Sequence, residues 1–388
     1  MNTLQWLTKL ISFNTISSNS NQSLIDAVAA WFTLHQIDCH IIPGPAAGKV
    51  NLFATIPAHD GLTQGGLLLS GHTDVVPVIG QPWNTDPFVA VEQDGKIYGR
   101  GSCDMKGFIA VLLALVPELK KLKLVKPIHF SFTCDEEIGC LGVDYLVDYL
   151  QKAGIQPEGC IVGEPSSMRP IIGEKARRLY HCKVQGKAVH SSQASIGCNA
   201  VEYASRLISY ISSLAQYVKE NGPFDTDFDF PFTTITTNLV NGGIATNIIP
   251  DNCEFTLELR YISQFPLENF HNQIQNYINE DLLPEMRKVY SNAAIFFEVT
   301  DDAPGFNSLE DSSIIRIVRA VTGINERFKV SYATESGIFQ SAHIPTLICG
   351  PGDIKQAHTP NEFVTIEQLN LCEKVLLNVI HFFCMDLT

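Results

Sequence analysis

Four short apolar runs recur along the chain, and each breaks off into a polar cluster. "GGLLLS" leads to His72 and Asp74, "IHFSFTC" to Asp135, Glu136 and Glu137, "GCIVG" to Glu164, and "TLICGPG", a few residues later, to His358. Such runs predict strands buried on both faces. Between the first two lies "DMKGFIAVLLALVPELKKL", apolar around most of its circumference and ending in lysines. It predicts a buried helix capped at its start by Asp104. "LGVDYLVDYLQKAG" predicts a second helix, with Gly154 as its stop. Strands alternating with helices imply an α/β fold with a mostly parallel sheet and helices on both faces. Ligands bind beyond the carboxyl ends of such strands. All four polar clusters fall on those ends, which predicts one site assembled from segments far apart in sequence.

From Lys175 to Asp301 the rhythm changes. "RRLYHCKVQG" reads as a strand, "NAVEYASRLISYISSLAQYVK" as a helix, and "TTITTNLVNGG" and "CEFTLELRYI" as strands. "PLENFHNQIQNYINEDLL" follows as a helix and "AIFFEVT" as a strand. The order βαββαβ is that of a small α+β domain of the split βαβ type. The expected organisation is therefore a larger domain of residues 1–174 and 302–388, interrupted by an inserted domain of residues 175–301. The larger domain resumes with the helix "SSIIRIVRAVTG".

Size agrees with two domains, because 388 residues exceed the usual extent of one hydrophobic core. With 45% apolar and 18% charged residues the composition is that of a globular protein, not a disordered or membrane one. A net charge of -14 argues against a nucleic-acid surface and mildly favours neutral or cationic small partners. The N-terminal "MNTLQWLTKLISFNTISSNS" is amphipathic and lacks the layout of a secretory signal. The longest later apolar run, "GFIAVLLALVP", is too short to span a bilayer. Eleven cysteines without CxxC pairs, most of them inside apolar runs, predict free buried thiols. A cytoplasmic protein with no membrane or nucleic-acid partner is expected.

His72, Asp104, Glu136, Glu137, Glu164 and His358 would repel severely in one cleft unless cations neutralised them. Imidazole with carboxylate, and no thiolate, suits Zn²⁺ or a similar divalent ion in a hydrolytic site. If one glutamate stays outside the coordination shell, three carboxylates and a hydroxide balance two zinc ions. The free glutamate can then take a proton from the attacking water. Each piece alone has a plain alternative. His72 could be a satisfied turn histidine, Asp104 a helix cap, "DEE" a solvated turn, "GEP" a loop and His358 a surface residue. Independent accidents would not all land on strand ends of one sheet.

"GHTDVVPV", "DGKIYGRGSCDMKGFIA", "TCDEEIGCLG", "VGEPSSMRP" and "QAHTPNE" resemble, in order, the signature motifs of the M20 family of dinuclear zinc peptidases and deacylases. The resemblance runs nearly end to end. It implies that His72 and Glu164 hold one metal and Glu137 and His358 the other, with Asp104 bridging and Glu136 as general base. Asp74 would accept the other imidazole N–H of His72 and fix its tautomer. "GKAVHSS" resembles the family's lid motif, so His190 would polarise the scissile carbonyl in the partner subunit of a homodimer. Asn247 of "ATNIIPD" and Arg260 of "LELRY" fall where the family binds substrate, the arginine suiting an α-carboxylate. Asn247 could instead cap a turn, and Arg260 could be strand surface. Gly350 and Gly352 are expected to let backbone approach the ligand, although a tight turn would also use them. "GEKARRLY" departs from the lysine- and glycine-rich entry to the lid that the family pattern leads one to expect.

Within the family, "YATESGIFQ" with "LICGPGDIKQAHTPNE" is most similar to the acetylornithine deacetylase branch. That similarity implies removal of the acetyl group from N2-acetyl-L-ornithine, a step of arginine biosynthesis, with two Zn²⁺ or Co²⁺ ions. A succinyl-diaminopimelate desuccinylase would want a further cation near the acyl group, whereas Glu335 would repel a succinyl carboxylate and attract an ornithine ammonium. An aminopeptidase, dipeptidase or other aminoacylase on the same scaffold is a further alternative. A non-catalytic binding protein is disfavoured because every ligand type and the base are present.

Overall fold

In the computed structural model, which describes residues 1–386, the four apolar runs become neighbouring parallel strands. Ile128–Thr133, Leu67–His72, Gly159–Pro165 and Thr346–Gly350 lie side by side in the middle of a nine-stranded sheet. Val50–Ile56 flanks them antiparallel on one side, with Cys39–Pro43 antiparallel to it in turn, and Ile171–Glu174 flanks them antiparallel on the other. Leu67, Leu68 and Leu69 are all fully buried, which is why this run is apolar at every position instead of at alternate ones.

The predicted core helix spans Lys106–Leu119 and is buried on nearly every face. It packs with the helices Thr3–Ile11 and Ile366–Cys384 in one apolar cluster that includes Trp6, Leu10, Phe108, Leu112 and Leu376. Each such side chain withdrawn from water contributes roughly 1.5–3 kcal/mol. The fit is close. A Cβ on Gly163, the residue before Glu164, would stand 2.0 Å from the Phe108 ring, so only glycine lets the helix press against the strand that carries Glu164. The second predicted helix spans Val143–Ala153 and stops at Gly154, which takes the left-handed conformation (φ 67°).

The chain divides into two compact units, one of Met1–Gly173, Phe306–Lys329 and Thr334–Thr388, the other of Glu174–Gly305 and Val330–Ala333. The second unit is a four-stranded antiparallel sheet in the order Thr234–Gly242, Asn252–Tyr261, Ala176–Gln185, Ala294–Ala303. Cys253, Phe255, Leu257 and Leu259 alternate inward along the second of these strands. They share a core with Ala204, Leu207 and Ile211 of the helix Ala200–Asn221 and with Phe270 and Ile274 of the helix Leu267–Asn276. The boundaries differ from expectation in two places. Asp302 and Ala303 continue the last strand against Arg178 and Arg177, so a cut at 301 falls inside a ladder. Val330–Ala333 belongs with this unit because its carbonyls accept from Lys175 N (3.1 Å) and from the Arg260 guanidinium (3.3 Å).

All eleven cysteines are free thiols, ten of them buried. Among the described residues, no helix is long and apolar enough to cross a membrane.

Candidate metal centre

The six side chains of the cluster reach the carboxyl end of the central strands from five different segments. His72 ends its strand, Glu164 lies near the end of Gly159–Pro165, and Glu136 and Glu137 follow Ile128–Thr133. Asp104 precedes the core helix, and His358 follows the last parallel strand. Asp104 stands between the two histidines. Its Oδ1 is 3.0 Å from His72 Nε2 and its Oδ2 is 3.2 Å from His358 Nε2. Glu164 Oε1 lies 3.5 Å from His72 Nε2, and Glu137 Oε2 lies 3.0 Å from His358 Nε2. Ligand atoms of His72, Glu136 and Glu164 fall within 4.8 Å of one another, as do those of His72, Asp104 and Glu137.

The donor set fits divalent cations. Glu164 Oε1 is buried without a hydrogen bond, and four carboxylates share one small volume. Burial pushes Glu164 and Glu136 well above the usual carboxylate range, and it raises Glu137 with the charge of Asp104 adding to the effect. Burial also opposes the charged form of Asp104, but hydrogen bonds from His358 and His72 outweigh it and hold that carboxyl low. Asp104 and Glu137 together push His358 up to about 10. Burial works against a proton on His72, yet Asp104, Glu164 and Glu136 raise it well above an ordinary imidazole. The centre thus draws positive charge toward itself, and imidazole and carboxylate are donors that zinc-like ions accept.

Two expected roles change. Asp104 does not cap the core helix: the cap position is Met105 and has no side-chain cap, because the Asp104 carboxylate is taken up by the histidines. Asp74 does not receive the His72 N–H on its carboxylate. Its main-chain oxygen lies 3.0 Å from His72 Nδ1, whereas Oδ1 is 3.7 Å away. The Asp74 carboxylate instead accepts the backbone N–H groups of Glu136 (3.1 Å) and Glu137 (3.3 Å) and the Ser17 hydroxyl (2.7 Å). It aims the glutamate loop, which a buried Lys49–Asp135 ion pair of 2.5 Å also braces.

Glu335 is 1% exposed, 3.5 Å from the Ser70 hydroxyl, with its Oε1 unpartnered. A carboxylate so enclosed cannot meet a substrate ammonium, and the expected attraction is withdrawn. Burial pushes it up to about 7. At Gly350 and Gly352 it is protein that approaches closely. A Cβ on Gly350 would stand 2.0 Å from the Gly163 carbonyl oxygen, and one on Gly352, where φ is 86°, would stand 2.4 Å from Cys103 Sγ.

In the second unit, His190 is exposed and lies in a two-residue ladder with Ile248. Ser192 N donates to its Nδ1 (3.2 Å), with the Ser192 hydroxyl 2.8 Å from the same atom. A neutral His190 therefore carries its proton on Nε2, free to donate outward. Asn247 is also exposed and adjacent, its carbonyl accepting from Ser191 N at 2.9 Å. Arg260 is partly exposed and paired with Glu258 at 2.9 Å.

Sequence reading missed Ser17, Lys49, Arg100 and Glu362. Only Arg100 and Glu362 lay within quoted motifs, and none carries a periodic signal.

The model for peptidase family M20/M25/M40 matches residues 68–381, and the chain belongs to that family. It is 34% identical over 367 residues to the acetylornithine deacetylase of Pectobacterium atrosepticum, covering 94% of this chain and 92% of that one. Among solved structures, a tripeptidase from Staphylococcus aureus superposes with a TM-score of 0.80 at 22% identity, covering 98% of this chain and 97% of that one. A dinuclear metal-binding peptidase of the M20 family from Bacillus subtilis gives 0.65 at 15% identity, covering 97% and 96%. The chain is an M20-family hydrolase with a His/Asp/Glu cluster able to hold metal.

Proposed function

We propose that this protein is a two-metal amide hydrolase that removes the acetyl group of N2-acetyl-L-ornithine, giving L-ornithine and acetate. The observation that carries the metal chemistry is Asp104, whose two oxygens face different histidines at 3.0 and 3.2 Å. His72 and Glu164 would hold one ion and Glu137 and His358 the other, with Asp104 shared. Zn²⁺ suits these donors and Co²⁺ satisfies the same ligands; when bound, such ions polarise an amide carbonyl and acidify an attacking water.

The remaining work falls to the protein's own side chains. Glu136, held by the Asp74 carboxylate through its backbone N–H, takes the proton of the attacking water and passes it to the departing amine. His190 donates from Nε2 to the carbonyl oxygen as it gains negative charge. The family resemblance supports a homodimer in which His190 serves the neighbouring subunit. Asn247 and Arg260 bind the substrate, the arginine taking the α-carboxylate once it exchanges Glu258 for it. Acetylornithine as substrate is supported by relatives named for it, among them the Pectobacterium atrosepticum enzyme at 34% identity, and not by Glu335.

The test is hydrolysis by Zn²⁺-loaded protein of a panel containing N-acetylornithine, N-succinyl-diaminopimelate, dipeptides and tripeptides, with and without chelator. Acetylornithine should be cleaved fastest and only with metal. Faster cleavage of the succinylated compound or of a peptide would overturn the substrate assignment, and full activity in chelator would overturn the metal chemistry.

A further inference from the structure

His72 and Glu164 sit on central strands, but Asp104, Glu137 and His358 sit on loops. Something must hold those loops in register with the sheet. Glu362, four residues past His358 and 1% exposed, is bonded to the Asp104 loop at every acceptor it has. Its Oε1 accepts from Cys103 N (2.8 Å) and Asp104 N (3.0 Å). Its Oε2 accepts from Gly101 N (2.9 Å) and Arg100 Nη1 (2.8 Å), and its main-chain oxygen accepts from Gly99 N (3.0 Å). Arg100, also 1% exposed, continues the chain of bonds. Its Nη2 donates to Gln81 Oε1 at 2.5 Å, and Gln81 Nε2 donates to the carbonyl of His358 at 3.0 Å.

A carboxylate buried this far is tolerated only when its charge and lone pairs are all matched. Glutamine would not substitute, because its NH₂ group would face donors on one side. We infer that Glu362 is a positioning residue for the metal centre. Its carboxylate sets the main chain of Asp104, and through Arg100 and Gln81 it sets the main chain of His358. Asp104 is shared, so both halves of the centre depend on Glu362, but the half carried by His358 depends on it twice, through Asp104 and through Gln81, and the half anchored on strand residues His72 and Glu164 only once. This inference rests on the two-metal reading above.

The experiment is titration of metal-free protein with Co²⁺, followed by visible absorption and calorimetry, for wild type, Glu362→Gln and Gln81→Ala. Wild type should take up two equivalents. Glu362→Gln should bind one equivalent about 10-fold and the other about 100-fold more weakly than wild type, the range usual on removing a partner behind the ligands. Gln81→Ala cuts only the branch to His358, so it should weaken the same site, less severely, with melting temperature unchanged. General loosening of the fold would instead weaken both sites alike. Wild-type affinity at both sites in Glu362→Gln overturns the inference, as does equal weakening at both. If Glu362→Gln does not fold, Gln81→Ala decides alone, and an undisturbed second site in it is the overturning result. Fewer than two equivalents on wild type sinks the two-metal reading together with this inference. Two equivalents without acetylornithine cleavage sinks only the substrate assignment.

Discussion

The main-chain carbonyl of Asp74, not its carboxylate, meets Nδ1 of His72, at 3.0 Å against 3.7 Å. The tautomer of His72 is therefore set by an atom that no substitution at residue 74 removes, and the Asp74 side chain is left to orient Glu136 and Glu137. Asp74→Ala should keep metal at the His72–Glu164 site and lose kcat by roughly 10- to 100-fold as the glutamate loop drifts. Metal analysis alongside steady-state kinetics checks this. Loss of the His72-bound metal would show that the carboxylate governs the histidine after all.

The adjacent glutamates should behave differently. Glu136→Ala should retain both metals and lose ~10²- to 10⁴-fold in turnover, the usual worth of a positioned general base. Glu137→Ala should lose metal instead, because its Oε2 lies 3.0 Å from His358 Nε2. Parallel metal titrations read the contrast. Identical titration curves would mean that both glutamates coordinate, an arrangement the proximity of Glu136 to His72 and Glu164 leaves room for.

Glu335 makes a stability prediction with a definite sign. Burial raises its carboxyl from 4.5 to about 7. Below pH 4.5 both folded and unfolded chains hold this proton. Between 4.5 and 7 the unfolded chain releases it while the folded chain keeps it, so stability falls as pH rises and levels off above 7. Glu335→Gln removes that loss. Relative to wild type, the metal-free variant should gain about 2–3 kcal/mol in denaturant unfolding on going from pH ~5 to ~8. A difference independent of pH would mean that Glu335 is solvated, and a changed preference between acetylornithine and succinyl-diaminopimelate would return it to the substrate site.

His190 should act across a dimer. His190→Ala and Glu136→Ala should each be nearly inactive alone. In a mixed dimer, the chain carrying His190→Ala keeps its own Glu136 and borrows the other chain's His190, so one of two sites is whole. Random pairing of equal amounts should then restore about a quarter of wild-type activity if the dimer is symmetric. Activity of the purified mixture against each parent measures it. Mixed dimers that form without regaining activity would remove His190 from this role.

The sequence by itself determined the parallel strands, the core helix, the inserted βαββαβ unit and which polar side chains end the strands as candidate metal ligands. Its reason is physical: strands buried on both faces must be apolar throughout, as Leu67–Leu69 are, so the polar residues that end them stand out. Tertiary structure alone decided how those residues share the work. Asp104 could have capped a helix from where it stands in the chain, and only the approach of His72 and His358 claimed its carboxylate. Glu335 reads as a carboxylate facing the substrate until the fold covers it. Glu362 binds backbone N–H groups of a segment about 260 residues earlier. Every residue but proline carries such a donor, so no pattern of side chains announces which acceptor it will meet; only the folded path of the chain does.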